Sequence, residues 1–222
     1  MVATTHHSSL IKTPFLVIEL NNIGKRFRYE WIFKNFSQTF QNGKSYAILG
    51  PNGSGKSTLM KILSGHLTPS AGQITFSNKD KKTDDDAVYH LIAYAAPYID
   101  LIEEMTLAEM IDFHSKFKPL SNSLTTEGLI AILGFQKSKD KEIRFFSSGM
   151  KQRLKLALAI CSETPILLLD EPTTNLDSQG IAWYQNLVNQ YVSSAQRLVI
   201  VASNIEHDYM FCSEKLNILD FK

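Results

Sequence analysis

The nine residues from 50 to 58, Gly-Pro-Asn-Gly-Ser-Gly-Lys-Ser-Thr, narrow what this chain can fold into more than any other stretch. Gly50 and Gly55 bracket four residues and Lys56 and Ser57 follow, which is the spacing of a phosphate-binding P-loop. The apolar run Ser45–Leu49 before it reads as a buried strand, and residues 58–63 after it have helical spacing, so the loop sits in the strand–loop–helix context it needs. Gly50, Gly53 and Gly55 permit positive φ and carry no side chain, so successive backbone N–H groups can converge on a phosphate. The helix adds the positive end of its dipole, Lys56 can reach the β- and γ-phosphates, and the Ser57 hydroxyl can ligate magnesium. Pro51, Asn52, Ser54 and Thr58 complete the cradle. A nucleoside triphosphate with Mg²⁺ is the expected ligand.

The chain of 222 residues is long enough to bury a sizeable core, and its 44% apolar and 20% charged content is that of an ordinary globular protein. A formal net charge of +1 gives no electrostatic reason to expect nucleic acid as a partner. Cys161 and Cys212 lie far apart without metal-ligand spacing, which speaks against a disulfide framework or zinc site and for a reducing, cytoplasmic setting. Cys161 closes an apolar helical run and reads as core. No apolar stretch reaches the length of a membrane span, and residues 1–14 lack a signal-peptide core and read as a flexible lead-in. A role at a membrane would need a separate membrane-spanning partner.

Residues 15–20 read as a first strand, 24–27 as a turn carrying an exposed aromatic, 32–40 as a second strand and 41–43 as a turn. A short strand is expected at 73–76, a charged hairpin tip within 77–86 and a strand at 91–95. Helices then take over: Thr106 can cap residues 107–117, Thr125 or Thr126 can cap 127–133 with Gly134 as the stop, and Ser147 or Ser148 can cap a run from 150 to 160. Strands return at 166–169 and 198–202, continuous apolar runs suited to burial on both faces. A helix at 178–195, a short one at 206–211 and a last strand near 216–219 complete the pattern. Strands alternating with helices predict an α/β fold with a mainly parallel sheet: a P-loop core with a small N-terminal antiparallel part and a helical subdomain inserted at about 97–162. Residues 15–222 then form a single domain.

Asp170 and Glu171 end a buried strand whose carboxyl end should face the phosphate crevice. Asp170 is then placed to hold Mg²⁺ and Glu171 to accept a proton from the attacking water. Without the P-loop, the same pair would read more simply as strand-end carboxylates facing solvent.

Phe146-Ser-Ser-Gly-Met150, followed by Lys-Gln-Arg, resembles the signature motif of the ATP-binding cassette (ABC) proteins, Leu-Ser-Gly-Gly-Gln at a helix start. Ser147 and Gly149 match, while Phe146, Ser148 and Met150 depart from it. The order of motifs along almost the whole chain strengthens the resemblance, with Thr174-Asn-Leu-Asp177 similar to the D-loop that crosses the family's dimer interface. Phe27 falls where the family stacks an aromatic on adenine, with Tyr29 as its rival.

The resemblance implies an ATP-binding, ATP-hydrolysing transporter subunit that sandwiches ATP in a homodimer or a heterodimer, with Ser147 and Gly149 facing the γ-phosphate of the opposite P-loop and Ser148 between them in the same nucleotide-binding motif. A separate transmembrane permease would hold it on the inner face of the membrane. Residues 98–110 would dock that partner through Ile99, Leu101, Ile102 and Met105, side chains that can equally be packed within the subdomain. Two departures bear on rate. Pro97 stands where the family has a glutamine, and Asn204 where it has a histidine, with His207 displaced by three residues. Proline offers no side-chain hydrogen bond and asparagine carries no transferable proton, so Asn204 is a weakened catalytic contact and hydrolysis should be slow. The alternative reading is a soluble ATP-gated dimerisation switch with little or no hydrolysis. A P-loop kinase is disfavoured, because nothing outside the P-loop suggests a phosphoryl acceptor site.

Overall fold

Alternating apolar residues near the amino end produce a sheet with one covered face. In the computed structural model, which describes residues 16–78, 81–84, 87–192 and 197–222, β1 (Leu16–Phe27) and β2 (Glu30–Gln41) form a long antiparallel hairpin. Leu16, Ile18, Leu20 and Ile23 of β1 and Phe33, Phe36 and Phe40 of β2 are buried along it. The predicted turn at 24–27 is instead strand: register shifts between residues 20 and 26 act as bulges that absorb the irregular spacing and let pairing run on to Phe27. Asn35, at φ 52°, breaks the alternation of β2 in the same way, so Phe33 is buried where period-two spacing pointed to Ile32.

β3 (Ser45–Leu49) leads into the P-loop and α1 (Lys56–Leu63). β4 (Ala71–Asn78) joins β1, and β5 (Lys81–Lys82) turns back on β4. The predicted charged tip is thus partly strand; its residues 79–80 and 85–86 lie outside the described residues, as does the predicted lead-in at 1–14. One helical turn, α2 (Val88–Leu91), precedes β6 (Ile92–Ala95), where the sequence reading began the strand one residue earlier.

The chain then leaves the sheet for α3 (Leu107–Phe117), α4 (Thr126–Leu133) and α5 (Ser148–Ile160). Their starts follow from local chemistry. Thr106 and Glu109 form a reciprocal capping box, Thr125 accepts from the Gly128 N–H, Ser147 accepts from the Met150 N–H, and Gly134 in the left-handed region ends α4. Leu101 and Met105, considered above as docking contacts, pack against this helical core, while Ile102 is exposed.

β7 (Ile166–Asp170), α6 (Ser178–Tyr191), β8 (Leu198–Ala202), α7 (Glu206–Tyr209) and β9 (Glu214–Asn217) complete the chain. The helix predicted over 178–195 is described only to Tyr191, and residues 193–196 lie outside the described residues. The last strand falls earlier than 216–219, because Ile218 is drawn into the core and Asn217 caps a closing 3₁₀ turn by accepting from the Leu219 N–H.

The parallel sheet has the order β6-β7-β8-β3-β9, and the antiparallel one the order β2-β1-β4-β5. Period-two alternation divides the core. Ile166, Leu168, Leu198 and Ile200 face a cluster shared with α1 and the antiparallel sheet, whereas Leu167, Leu169, Val199 and Val201 face one shared with α3–α6. Cys161 is fully buried in the second cluster, and burial pushes its thiol up to about 12.

Candidate functional site

The P-loop needs glycine at two places for stated reasons. Gly55 holds φ 108° immediately before α1, and a Cβ there would lie 2.6 Å from Ile32 Cγ2 of β2. Gly50 holds φ 149°, and its Cβ would lie 2.7 Å from Ser54 Oγ. Lys56 is 3% exposed, and its Nζ donates to the carbonyls of Gly50 at 2.8 Å and Pro51 at 3.2 Å, folding the loop around its charge. Ser54 Oγ is buried without a hydrogen-bond partner.

At the carboxyl end of β7 the Asp170 carboxylate is fully buried. Burial pushes its pKa above the usual range. The hydrogen bond from Tyr98 opposes that shift, as do the nearby Ser57 hydroxyl and the Lys56 charge. The Tyr98 hydroxyl donates to Asp170 Oδ2 at 2.8 Å, while Oδ1 is buried with no partner. Because the phenol has a single proton and spends it on Asp170, Tyr94 must donate to Tyr98 in the hydroxyl contact between the two rings. Burial, first of all, raises both phenols well above their ordinary value, so both remain donors.

Glu171 follows with φ 45°, a left-handed conformation rare for a residue with a side chain, and its N–H donates to Ala202 O at 2.8 Å. The turn beyond it continues the strain, with Asn175 at φ 66°, and Asp177 caps α6 by accepting from the Gly180 N–H at 2.8 Å. Asn204, past β8, donates its amide to Asn52 Oδ1 of the P-loop at 3.4 Å. His207 turns elsewhere, to Thr173.

The structure therefore brings Lys56, Ser57, Asp170 and Glu171 together, with Asn204 on the rim. Ser147, Ser148 and Gly149 are placed apart from them. They line an open pocket of about 310 Å³ with Met150, Arg153 and residues 175–177, and Gly149 lies so close to Asn175 that a Cβ would come within 3.1 Å of its carbonyl. Among the described residues no hydrogen bond joins Ser147–Gly149 to the P-loop. Phe27 is half-exposed at the end of β1 with Lys25 Nζ 5.3 Å from its ring centre, and Tyr29 is almost wholly exposed at the hairpin tip.

Tyr94 and Tyr98 went unassigned in the sequence, as did the link from His207 to Thr173. A signal for the first was present: two tyrosines four residues apart flank the proline that stands in the glutamine's place.

A sequence model of the family described as ABC transporter matches residues 33–174. The chain is 30% identical over 208 residues to the uncharacterized ABC transporter ATP-binding protein YybJ of Bacillus subtilis (strain 168), covering 91% of this chain and 92% of that one. It is 29% identical over 199 residues to the lantibiotic transport ATP-binding protein SrtF of Streptococcus pyogenes, covering 86% and 83%. Among solved structures, a putative ABC transporter ATP-binding protein from Pyrococcus furiosus superposes with a TM-score of 0.75 at 19% identity over 93% of this chain and 99% of that one. The ATP-binding cassette MJ0796, in a dimeric post-hydrolysis state bound to ADP and Pi, gives 0.76 at 22% over 90% and 93%. These two structural likenesses establish the fold.

Proposed function

The chain belongs to the ABC transporter family as an ATP-binding subunit that powers transport, and from that premise we propose how its residues do so. Subunits of this kind hydrolyse ATP, dimerise and act with transmembrane partners. The observation that carries the assignment of the site is a buried Asp170, its Oδ1 without a hydrogen-bond partner, within electrostatic reach of the buried Lys56 of the P-loop.

A divalent cation fits that arrangement: an orphaned carboxylate oxygen beside a serine hydroxyl is the hard-oxygen donor set magnesium takes. Ser57 and Asp170 would hold it, and when bound it neutralises charge on the β- and γ-phosphates. Gly50, Pro51, Asn52, Gly53, Ser54, Gly55 and Thr58 cradle the phosphates, Lys56 offsets their charge, and Phe27 stacks on adenine. Glu171 takes the proton of the attacking water as its oxygen bonds to the γ-phosphorus and the bond to ADP breaks.

Two such chains, alike or merely similar, would complete each other's sites, the P-loop of one facing Ser147, Ser148 and Gly149 of its partner. The separation of these residues from the P-loop within one chain, on an open surface beside residues 175–177, supports that arrangement. Among the described residues no helix is long and apolar enough to cross a membrane, so a permease would be a separate chain or segment holding this one at the inner face.

Hydrolysis should be slow. Pro97 has no group to offer, and the Asn204 amide is engaged with Asn52 rather than carried by an imidazole. One hydrogen bond to a charged group is worth about 1.5–3 kcal/mol, so two weakened contacts slow the step by about a hundredfold or more. The test pairs ATP affinity in magnesium with single-turnover phosphate release, for wild type and Glu171→Gln. Tight binding with release that collapses in the variant supports the reading. Tight binding with negligible release from both forms transfers it to the dimerisation switch.

A further inference from the structure

Pro97 leaves the approach to Asp170 without the family's amide, yet the next residue fills the space differently. Tyr98 donates to Asp170 Oδ2 at 2.8 Å and accepts from Tyr94 of β6. Its ring lies under Lys61 of α1, whose Nζ is 4.1 Å from the centroid. The backbone just before it is pinned by Lys155 of α5, which donates to the carbonyls of Pro97 at 2.8 Å and Ala96 at 3.3 Å. Three elements thus fix one phenol, and that phenol holds one oxygen of a carboxylate whose other oxygen is buried and unpartnered.

A carboxylate free to rotate presents either oxygen, or neither, to a cation. Held at Oδ2, it presents Oδ1 alone. Resting on the reading of Asp170 as a magnesium-holding group, we infer that Tyr98, backed by Tyr94, is the positioning residue that orients this carboxylate for the metal. The role differs from that of a glutamine at position 97. The amide would reach the metal and water directly, whereas the phenol would act through the Asp170 oxygen it holds.

Groups that orient a metal's ligands change metal affinity by about 10–100-fold when lost. The test is equilibrium binding of a fluorescent ADP analogue to the full chain, first in EDTA and then titrated with magnesium chloride, for wild type, Tyr98→Phe, Tyr94→Phe and Asp170→Asn. Each form is checked by thermal melting. Tyr98→Phe keeps the ring and its contacts with Lys61 while removing only the hydroxyl.

The expected result is a half-saturating magnesium concentration raised about tenfold or more in Tyr98→Phe, with affinity in EDTA unchanged and a smaller rise in Tyr94→Phe. Equal weakening with and without magnesium overturns the inference, since a merely structural residue would behave that way. A wild-type magnesium response in Tyr98→Phe alongside a displaced one in Asp170→Asn overturns the role of Tyr98 alone. A wild-type response in Asp170→Asn overturns both this inference and the metal site on which it rests.

Discussion

His207 Nε2 lies 3.0 Å from the hydroxyl of Thr173, two residues beyond Glu171. The same hydroxyl donates to Asp208 Oδ1 at 2.6 Å, and Ser203 donates to Asp208 Oδ2 at 2.6 Å. The displaced histidine is thereby tied to the turn after β7, and the position nearest the P-loop is left to Asn204.

Moving an imidazole to that position should restore a contact. Asn204→His is expected to raise single-turnover phosphate release by about tenfold, one charged hydrogen bond's worth. His207→Ala should leave it unchanged. Release rates identical in Asn204→His and wild type would remove the explanation offered for slow hydrolysis.

Glu171→Gln should retain nucleotide affinity and lower release by about 10²–10⁴-fold, the usual range for losing a general base. The backbone N–H of residue 171 donates to Ala202 O whatever the side chain, so the turn keeps its shape. Circular dichroism melts matching wild type, together with the rate loss, would locate the effect in the chemistry.

Gly55→Ala meets two obstacles at once, a φ of 108° and Ile32 Cγ2 at 2.6 Å from the new methyl group. Backbone strain alone costs about 1–3 kcal/mol. The double variant with Ile32→Ala removes the closest collision, leaving a tighter contact with Phe33 Cδ1 at 3.2 Å and the strain, so calorimetric nucleotide titration should find binding impaired in both. Full recovery in the double variant would mean that sterics, not backbone conformation, require glycine there.

Acid should weaken the helical side of the fold. His114 donates to or accepts from Ser162 at 2.8 Å, and because the Ser162 hydroxyl already donates to Leu158 O, a neutral ring with its proton on Nε2 satisfies the pair. Burial, assisted by the charge of Lys118, lowers its pKa to about 4 from 6.5. Between those values the unfolded chain takes up a proton that the folded one refuses. The stabilisation is therefore complete above 6.5 and falls as pH drops toward 4, by up to about 1.4 kcal/mol per unit. Urea midpoints of wild type should fall between pH 7 and pH 5 more than those of His114→Gln.

The phosphate loop, the helix caps and the buried strands were legible in the sequence because each rests on local rules: glycine geometry, side-chain acceptors at helix starts, and uninterrupted apolar runs. Thr106, Ser147 and the run at 166–169 are cases in point. The path of β1 through Gly24 was not legible, since bulges are settled by pairing with a partner strand and leave no periodic trace. Tyr98 was missed for another reason. The two tyrosines around Pro97 are a hint in the sequence, but the role depends on a contact with a residue 72 positions away, which the tertiary fold supplies.

Lys155 grips the segment after β6, and Lys151, one turn earlier on the same face of α5, pairs with Glu103 at 2.5 Å. The helix they share begins at Ser148, next to its cap Ser147. At about 1.5 Å of rise per residue it behaves mechanically as a short push-rod. Load applied to the chain between Pro97 and Glu103 is expected to reach Ser147 as a displacement of the whole rod, with no side chain along it needing to change rotamer. Hydrogen exchange along α5 that stays uniformly protected while the 97–103 segment is perturbed would be the mark of such rigid transmission; fraying at its middle would exclude it.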